Sequence, residues 1–119
     1  MSREPHRLED YLAHILEAIE RIEEYVSELD ELGFLGSKLV QDAVIRNLEI
    51  IGEASNNIEK HHPEFADAHP ELPLSAAYQM RNAVAHGYFK VDFEIVWKTI
   101  CNDLPGLYTL VRTVAQKQP

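Results

Sequence analysis

Apolar residues recur every three or four positions along most of this chain, and this spacing constrains the fold more than any other feature. In the first segment the intervals alternate between four and three along one series: Leu8, Leu12, Ile15, Ile19, Ile22, Val26 and Leu29. Such spacing places the apolar side chains on one face of a helix. No segment shows sustained alternation at every second residue, so the sequence predicts an all-α protein.

Residues that start and stop helices divide the first half of the chain into two helices. The first is expected to contain roughly 24 residues, which corresponds to a length of about 36 Å at ~1.5 Å per residue. It should end at Gly33 and Gly36. Ser37 can cap the second helix, which should end near His61. The apolar face of this second helix is broad, which indicates a central helix with neighbours on more than one side.

The second half of the chain predicts two further helices. Pro73 suits the first turn of a third helix, and Gly87 is a natural stop at its end. Asp92 can cap a fourth helix, and Pro105 should kink that helix or split it in two. We therefore expect residues 1–119 to form one domain, a mostly antiparallel bundle of four to five helices.

Composition fits a small cytoplasmic domain. The chain has 119 residues, of which 45% are apolar, so its core is modest and a second subunit would help to cover an apolar face. No apolar run approaches the ~18 residues that span a membrane, and the N-terminus lacks the apolar core of a secretory signal. The single cysteine, Cys101, excludes a disulfide within the chain and lies in an apolar stretch, which predicts a buried thiol.

The net charge of −9 is unfavourable for binding RNA, but the acidic residues are unevenly distributed. Residues 1–32 hold ten acidic and three basic residues, a net charge of −7, whereas residues 33–119 carry only −2. A nucleic-acid site in the second part is therefore electrostatically possible. We expect no metal site. His61 and His62 are adjacent, and adjacent helical residues point about 100° apart, so the two side chains cannot easily bind one metal ion. We expect both histidines to be exposed.

The segment RNAVAHGY places Arg81, His86 and Tyr88 where the third helix should end. Arginine offers a planar fork of donors that fits phosphate oxygens, and histidine moves protons near neutral pH. Together they could cleave a phosphodiester with no metal or cofactor. The residues alone leave a structural alternative open, in which Arg81 pairs with Glu53 or caps carbonyls and His86 caps the helix.

This segment resembles the R-x4-H-x-Y motif of HEPN-domain ribonucleases. RNLEIIGEA and MRNAVAHGYFKVDFEIVWKTICNDLPGL further resemble the HepT branch of toxins, in the same order and spacing. The resemblance implies a homodimeric, metal-independent endoribonuclease, the toxin of a type II or type VII toxin–antitoxin pair. It also implies neutralisation by a minimal nucleotidyltransferase antitoxin of the MntA type, which attaches AMP to the motif tyrosine, Tyr88.

The same resemblance assigns a role to each motif residue. Arg81 would bind and polarise the scissile phosphate of RNA, and His86 would be the general acid or base. Asn82 would orient one of these two side chains. Tyr88 would line the cleft and accept the AMP group.

Two further residues, Arg46 and Glu53, match the second-helix signature, and we interpret them as a buried polar pair that holds this helix against the motif helix. Leu74 departs from the family pattern, since relatives often have tryptophan after the proline that opens the motif helix. A different function also remains possible: a non-catalytic HEPN-type module that binds a nucleotidyltransferase. The intact motif favours the enzyme, whereas the acidic charge favours the binding module.

Overall fold

The computed structural model describes residues 6–86 and 91–118, apart from the side chains of residues 85 and 86, and every regular element in these ranges is an α-helix. The all-α prediction is therefore confirmed. Within the described ranges seven helices follow one another: α1 (Leu8–Val26), α2 (Glu31–Leu35), α3 (Lys38–His61), α4 (Pro63–Ala68), α5 (Leu74–His86), α6 (Phe93–Asn102) and α7 (Leu104–Gln116).

Helix α3 is central and packs between α1 and α5, as its broad apolar face predicts. His62 at the end of α3 bonds through its ring to the backbone of His6 before α1, so these two helices run antiparallel. Glu59 late in α3 accepts a hydrogen bond from Ser75 at the start of α5, at 2.9 Å, which makes α5 antiparallel to α3 as well. These helices form a bundle with α7. Helix α5 contains Arg81 and His86 of the motif, and this motif helix lies on one side of α3.

The core lies where the apolar faces of α1, α3 and α7 meet. Its fully buried side chains include Leu12, Ile15, Ile19, Ile22, Phe34, Val44, Ile58, Val111 and Val114. Full burial of one such aliphatic or aromatic side chain stabilises the fold by about 1.5–3 kcal/mol. The apolar stripe that predicts the first helix is therefore the face that this helix buries.

The first helix is shorter than predicted. Helix α1 ends at Val26, so Leu29 lies outside it, and Gly33 lies inside the separate helix α2 rather than at a stop. The reason is a local cap: the Asp30 side chain accepts a hydrogen bond from the backbone N–H of Gly33 at 2.8 Å and starts a new helix there. Periodicity alone does not detect this break because the apolar spacing continues across it.

Three other boundary predictions agree with the structure, whereas Pro73 directly precedes α5 instead of lying in its first turn, and the predicted stop at Gly87 lies outside the described residues. The Ser37 hydroxyl accepts a hydrogen bond from Val40 at the start of α3, and the Asp92 carboxylate accepts from two backbone N–H groups at the start of α6. Pro105 lies in the first turn of α7, and the predicted split falls just before it, at Asp103. The short helices α2 and α4, together with this split, account for seven helices where four to five were expected.

Cys101 is exposed, so the prediction of a buried thiol is wrong. Helix α6 buries Val96, Thr99 and Ile100. Cys101 follows Ile100 and is therefore rotated by about 100° from it, away from the core. In the described part of the chain, no helix combines the length and the apolar character that crossing a bilayer requires.

Candidate active site

The motif helix α5 approaches α3 very closely at Gly52. A Cβ atom added at Gly52 would lie 2.1 Å from Cβ and 2.8 Å from Cγ of Arg81, and 3.0 Å from the backbone oxygen of Ala77. Only a residue without a side chain fits at this crossing. Gly52 therefore sets how deeply the stem of Arg81 is seated against α3.

The sequence pattern assigns no role to Gly52, although it contains a usable signal. A glycine inside a helix costs about 1 kcal/mol relative to alanine, so its presence within the buried face of a long helix indicates a packing requirement. Which residue makes that close contact cannot be read from the spacing. The structure identifies it as Arg81.

The guanidinium group of Arg81 is held by two neighbours. Its Nη2 lies 2.8 Å from Oε1 of Glu53 on α3, and its Nη1 donates a hydrogen bond of 2.9 Å to Oδ1 of Asn82. The Nε atom is shielded from solvent and has no hydrogen-bond acceptor among the described residues. The Arg81 side chain is still 26% exposed, so the cation is anchored but not enclosed.

The other motif residues are placed only partly by the structure. His86 is the last residue of α5, five positions after Arg81, which on a helix corresponds to about 7.5 Å of rise and 140° of rotation. The His86 side chain lies outside the described residues, as does the whole of Tyr88. Their convergence with Arg81 therefore stays a prediction, as does the role of Asn82, although Asn82 does contact Arg81.

The predicted buried pair of Arg46 and Glu53 is wrong. Both residues are exposed, and Glu53 pairs with Arg81, which is the ion pair that the structural alternative for Arg81 predicts. The physical reason is helix geometry: seven positions separate the two residues along the same outer face of α3, and Glu53 lies one position after the contact residue Gly52. Glu53 does link α3 to the motif helix, but at the surface and through Arg81.

The histidines at the end of α3 are not fully exposed, which corrects the expectation for them. His61 and His62 are half-buried, and the ring of His61 stacks on that of His6 with 3.7 Å between ring centroids. Burial lowers the pKa of His61, and the positive charges of His6, Lys60 and His62 lower it further. Among the side chains that the structure describes, no three metal-binding groups come together.

An apolar groove of about 470 Å³ runs beside the motif helix. Residues from α3, α5, α6 and α7 line it, among them Ile51, Met80, Thr99, Leu107 and Leu110. Met80 directly precedes Arg81, so the groove and the arginine lie on adjoining faces of α5. The site thus combines one anchored cation, an amide and a carboxylate at the surface of α3 and α5, next to an apolar surface.

Comparisons with known proteins identify the family to which the chain is similar. Residues 15–114 match the family model described as Ribonuclease HepT-like. A protein of Thermococcus cleftensis named "Probable ribonuclease HepT" is 49% identical over 82% of this chain and 86% of its own length. A protein of Caldanaerobacter subterraneus subsp. tengcongensis described as a candidate RNase is 36% identical over 91% of this chain and 94% of its own length.

A third relative has a composite description. A protein of Methanocaldococcus jannaschii, described as a gamma-glutamylcyclotransferase and candidate RNase, is 43% identical over 82% of this chain, and the match spans 42% of that protein. No solved structure matches the chain. The family model covers most of the chain, including the Arg81 site, and the chain therefore belongs to the HepT-like ribonuclease family.

Proposed function

We propose that this protein is a metal-independent endoribonuclease that cleaves RNA with Arg81 and His86. The observation that carries the proposal is the anchored Arg81 guanidinium, partly open to solvent near the end of the motif helix, in a chain of a ribonuclease family. A planar guanidinium fits phosphate oxygens, so RNA supplies a suitable ligand. His86 is the last residue of α5 and therefore lies at the negative end of the helix dipole.

The proposed reaction is attack of a ribose 2′-hydroxyl on the adjacent phosphorus, with departure of the 5′-oxygen. His86 transfers protons as general acid or base. Arg81 stabilises the extra negative charge on the phosphate oxygens in the transition state, while Asn82 orients its guanidinium group. Tyr88, which lies outside the described residues, would line the cleft, as the family resemblance implies. The products end in a 2′,3′-cyclic or 3′-phosphate, and a metal ion has no necessary part in these steps.

The catalytic proposal is tested with Arg81→Ala and His86→Ala. Each variant should remain folded and lose about 10²–10³-fold in cleavage rate, since removal of one transition-state donor has about that effect. Arg112→Ala is the matched control, because it removes an exposed arginine from α7, away from the motif. Cleavage should persist in excess EDTA. Activity that disappears with EDTA and returns with magnesium would contradict the mechanism.

We further propose that this ribonuclease is a toxin whose activity an MntA-like nucleotidyltransferase switches off by attaching AMP to Tyr88. The modification would place a phosphodiester close to Arg81, where it competes with RNA phosphate for the guanidinium fork. Co-expression with the nucleotidyltransferase should add the mass of AMP to the wild type but not to Tyr88→Phe. Neutralisation without added mass would show that Tyr88 is not the switch.

We also propose that two copies form a homodimer in which both motifs face one cleft. The apolar groove beside α5 supports a dimer, because a second subunit would shield this surface from water.

The alternative function is that of a non-catalytic binding partner of the nucleotidyltransferase. It applies if the purified protein binds that enzyme but does not cleave RNA.

A further inference from the structure

The ion pair between Glu53 and Arg81 is poorly suited to a purely structural role. The Glu53 side chain is 50% exposed and that of Arg81 is 26% exposed. Solvent screens a pair this open, so it adds little to the stability of the fold. Burial against Gly52 already holds the stem of Arg81 in place. What the pair does fix is the direction in which the guanidinium plane faces.

The hydrogen-bond pattern leaves the fork of Arg81 free for a phosphate. A guanidinium group has five N–H donors, two on each terminal nitrogen and one on Nε. Glu53 contacts Nη2 and Asn82 accepts from Nη1, one partner on each terminal nitrogen. As far as the described residues show, one N–H therefore remains on each for a ligand. Glu53 and Asn82 together set the plane of the group without using all of its donors.

The backbone of Glu53 is held by a well-anchored element. It belongs to the central helix α3, which has 24 residues and packs against α1 on one side and α5 on the other. Asn82 neighbours Arg81 on the same helix and moves with it, whereas Glu53 ties Arg81 to a different element. Catalytic groups that are held by a second element keep the accurate geometry that fast reactions require.

We propose that Glu53 is a positioning residue for the reaction: its carboxylate holds the Arg81 guanidinium in the orientation that receives the scissile phosphate. The inference rests on the proposed ribonuclease function and deepens it. Glu53 acts through Arg81 and does not touch the reacting atoms. Its negative charge also repels RNA phosphate, so removal of that charge should affect RNA binding and RNA cleavage in opposite directions.

The test is Glu53→Gln, which keeps the size of the side chain and removes its charge. The cleavage rate at saturating RNA should fall about 10–100-fold, the scale expected for misplaced catalytic groups. The affinity for a non-cleavable 2′-O-methyl RNA, measured by fluorescence anisotropy, should stay equal or increase. Glu49→Gln is the matched control, since it removes the same charge one turn earlier on α3, and its rate should remain within about twofold of the wild type.

A second measurement does not depend on activity. The Nε atom of Arg81 is shielded from solvent, so its N–H should exchange slowly in ¹⁵N NMR spectra, and Arg81→Lys identifies the signal. Glu53→Gln should speed this exchange, while Glu49→Gln leaves it unchanged. Faster Nε exchange, a lower cleavage rate and unweakened RNA binding would together support the positioning role. A general loss of structure would not reproduce this combination of results.

Three outcomes would overturn the inference. Wild-type cleavage by Glu53→Gln would show that Arg81 needs no such partner. Faster cleavage would show that Glu53 competes with the substrate, and unchanged Nε exchange would show that it does not order Arg81. Absence of cleavage by the wild type would instead refute the proposed function, and the NMR experiment would still decide whether Glu53 orders Arg81.

Discussion

Replacement of Gly52 by alanine tests the packing that positions the site. The added Cβ would lie 2.1 Å from Cβ of Arg81, whereas unstrained carbon atoms lie about 3.5–4.0 Å apart. Helix α5 must therefore move away from α3 by roughly 1.5 Å at this point. The three nearest atoms are a Cβ, a Cγ and a backbone oxygen, so rotation of a flexible side-chain end cannot relieve the clash.

The expected cost follows from two opposing effects. Overpacking of a tight contact costs about 1–3 kcal/mol, and we expect the upper part of that range because the helix itself must shift. Alanine is favoured over glycine in a helix by about 1 kcal/mol. The net loss should be about 1–2 kcal/mol, or roughly 4–8 °C in Tm. Misplacement of a catalytic group by about 1 Å already lowers a rate by about 10²-fold, so a shift of Arg81 by roughly 1.5 Å should lower the cleavage rate by at least about that much.

The assay compares thermal unfolding and RNA cleavage of Gly52→Ala and Gly106→Ala at one protein concentration. Gly106 is the matched control because it also lies within a helix, α7, but a Cβ added there meets no atom within 4 Å. Gly106→Ala should leave Tm unchanged or raise it. If Gly52→Ala were as stable and as active as Gly106→Ala, the close contact between α3 and Arg81 would be refuted.

Three further predictions concern assembly, capping and pH. Light scattering at micromolar concentration should show a dimer, and a sole species of 13.6 kDa would contradict it. Asp92→Ala should lower the unfolding free energy by about 1 kcal/mol, because Asp92 caps the N–H groups of Glu94 and Ile95, whereas Asp92→Ser should lower it less. Since the pKa of His61 is lowered in the folded state, the unfolded chain binds the proton more tightly, and stability should fall as pH drops below about 6.5. The Tm of His61→Asn should fall less than that of the wild type between about pH 7.5 and 5.5, and equal slopes would refute this role.

The sequence by itself determines most of the helical architecture, because the signals involved are local. The apolar period predicts the buried faces, and caps such as Ser37 and Asp92 act within three residues of their own position. Proline at 105 likewise predicts the break between α6 and α7. The error at the end of α1 has a different cause: the Asp30 cap is also local, but the apolar spacing continues across it, so periodicity alone predicts one uninterrupted helix.

The motif identifies Arg81, Asn82, His86 and Tyr88 as candidates, but only the tertiary structure decides what surrounds the arginine. Gly52 and Glu53 meet Arg81 because α3 and α5 cross at that point, and a crossing point depends on packing between segments that are distant in sequence. Whether Glu53 is buried, and whether it pairs with Arg46 or Arg81, depends on the neighbouring helix. Helical periodicity assigns a residue to a face, whereas contacts between helices determine which side chain that face meets.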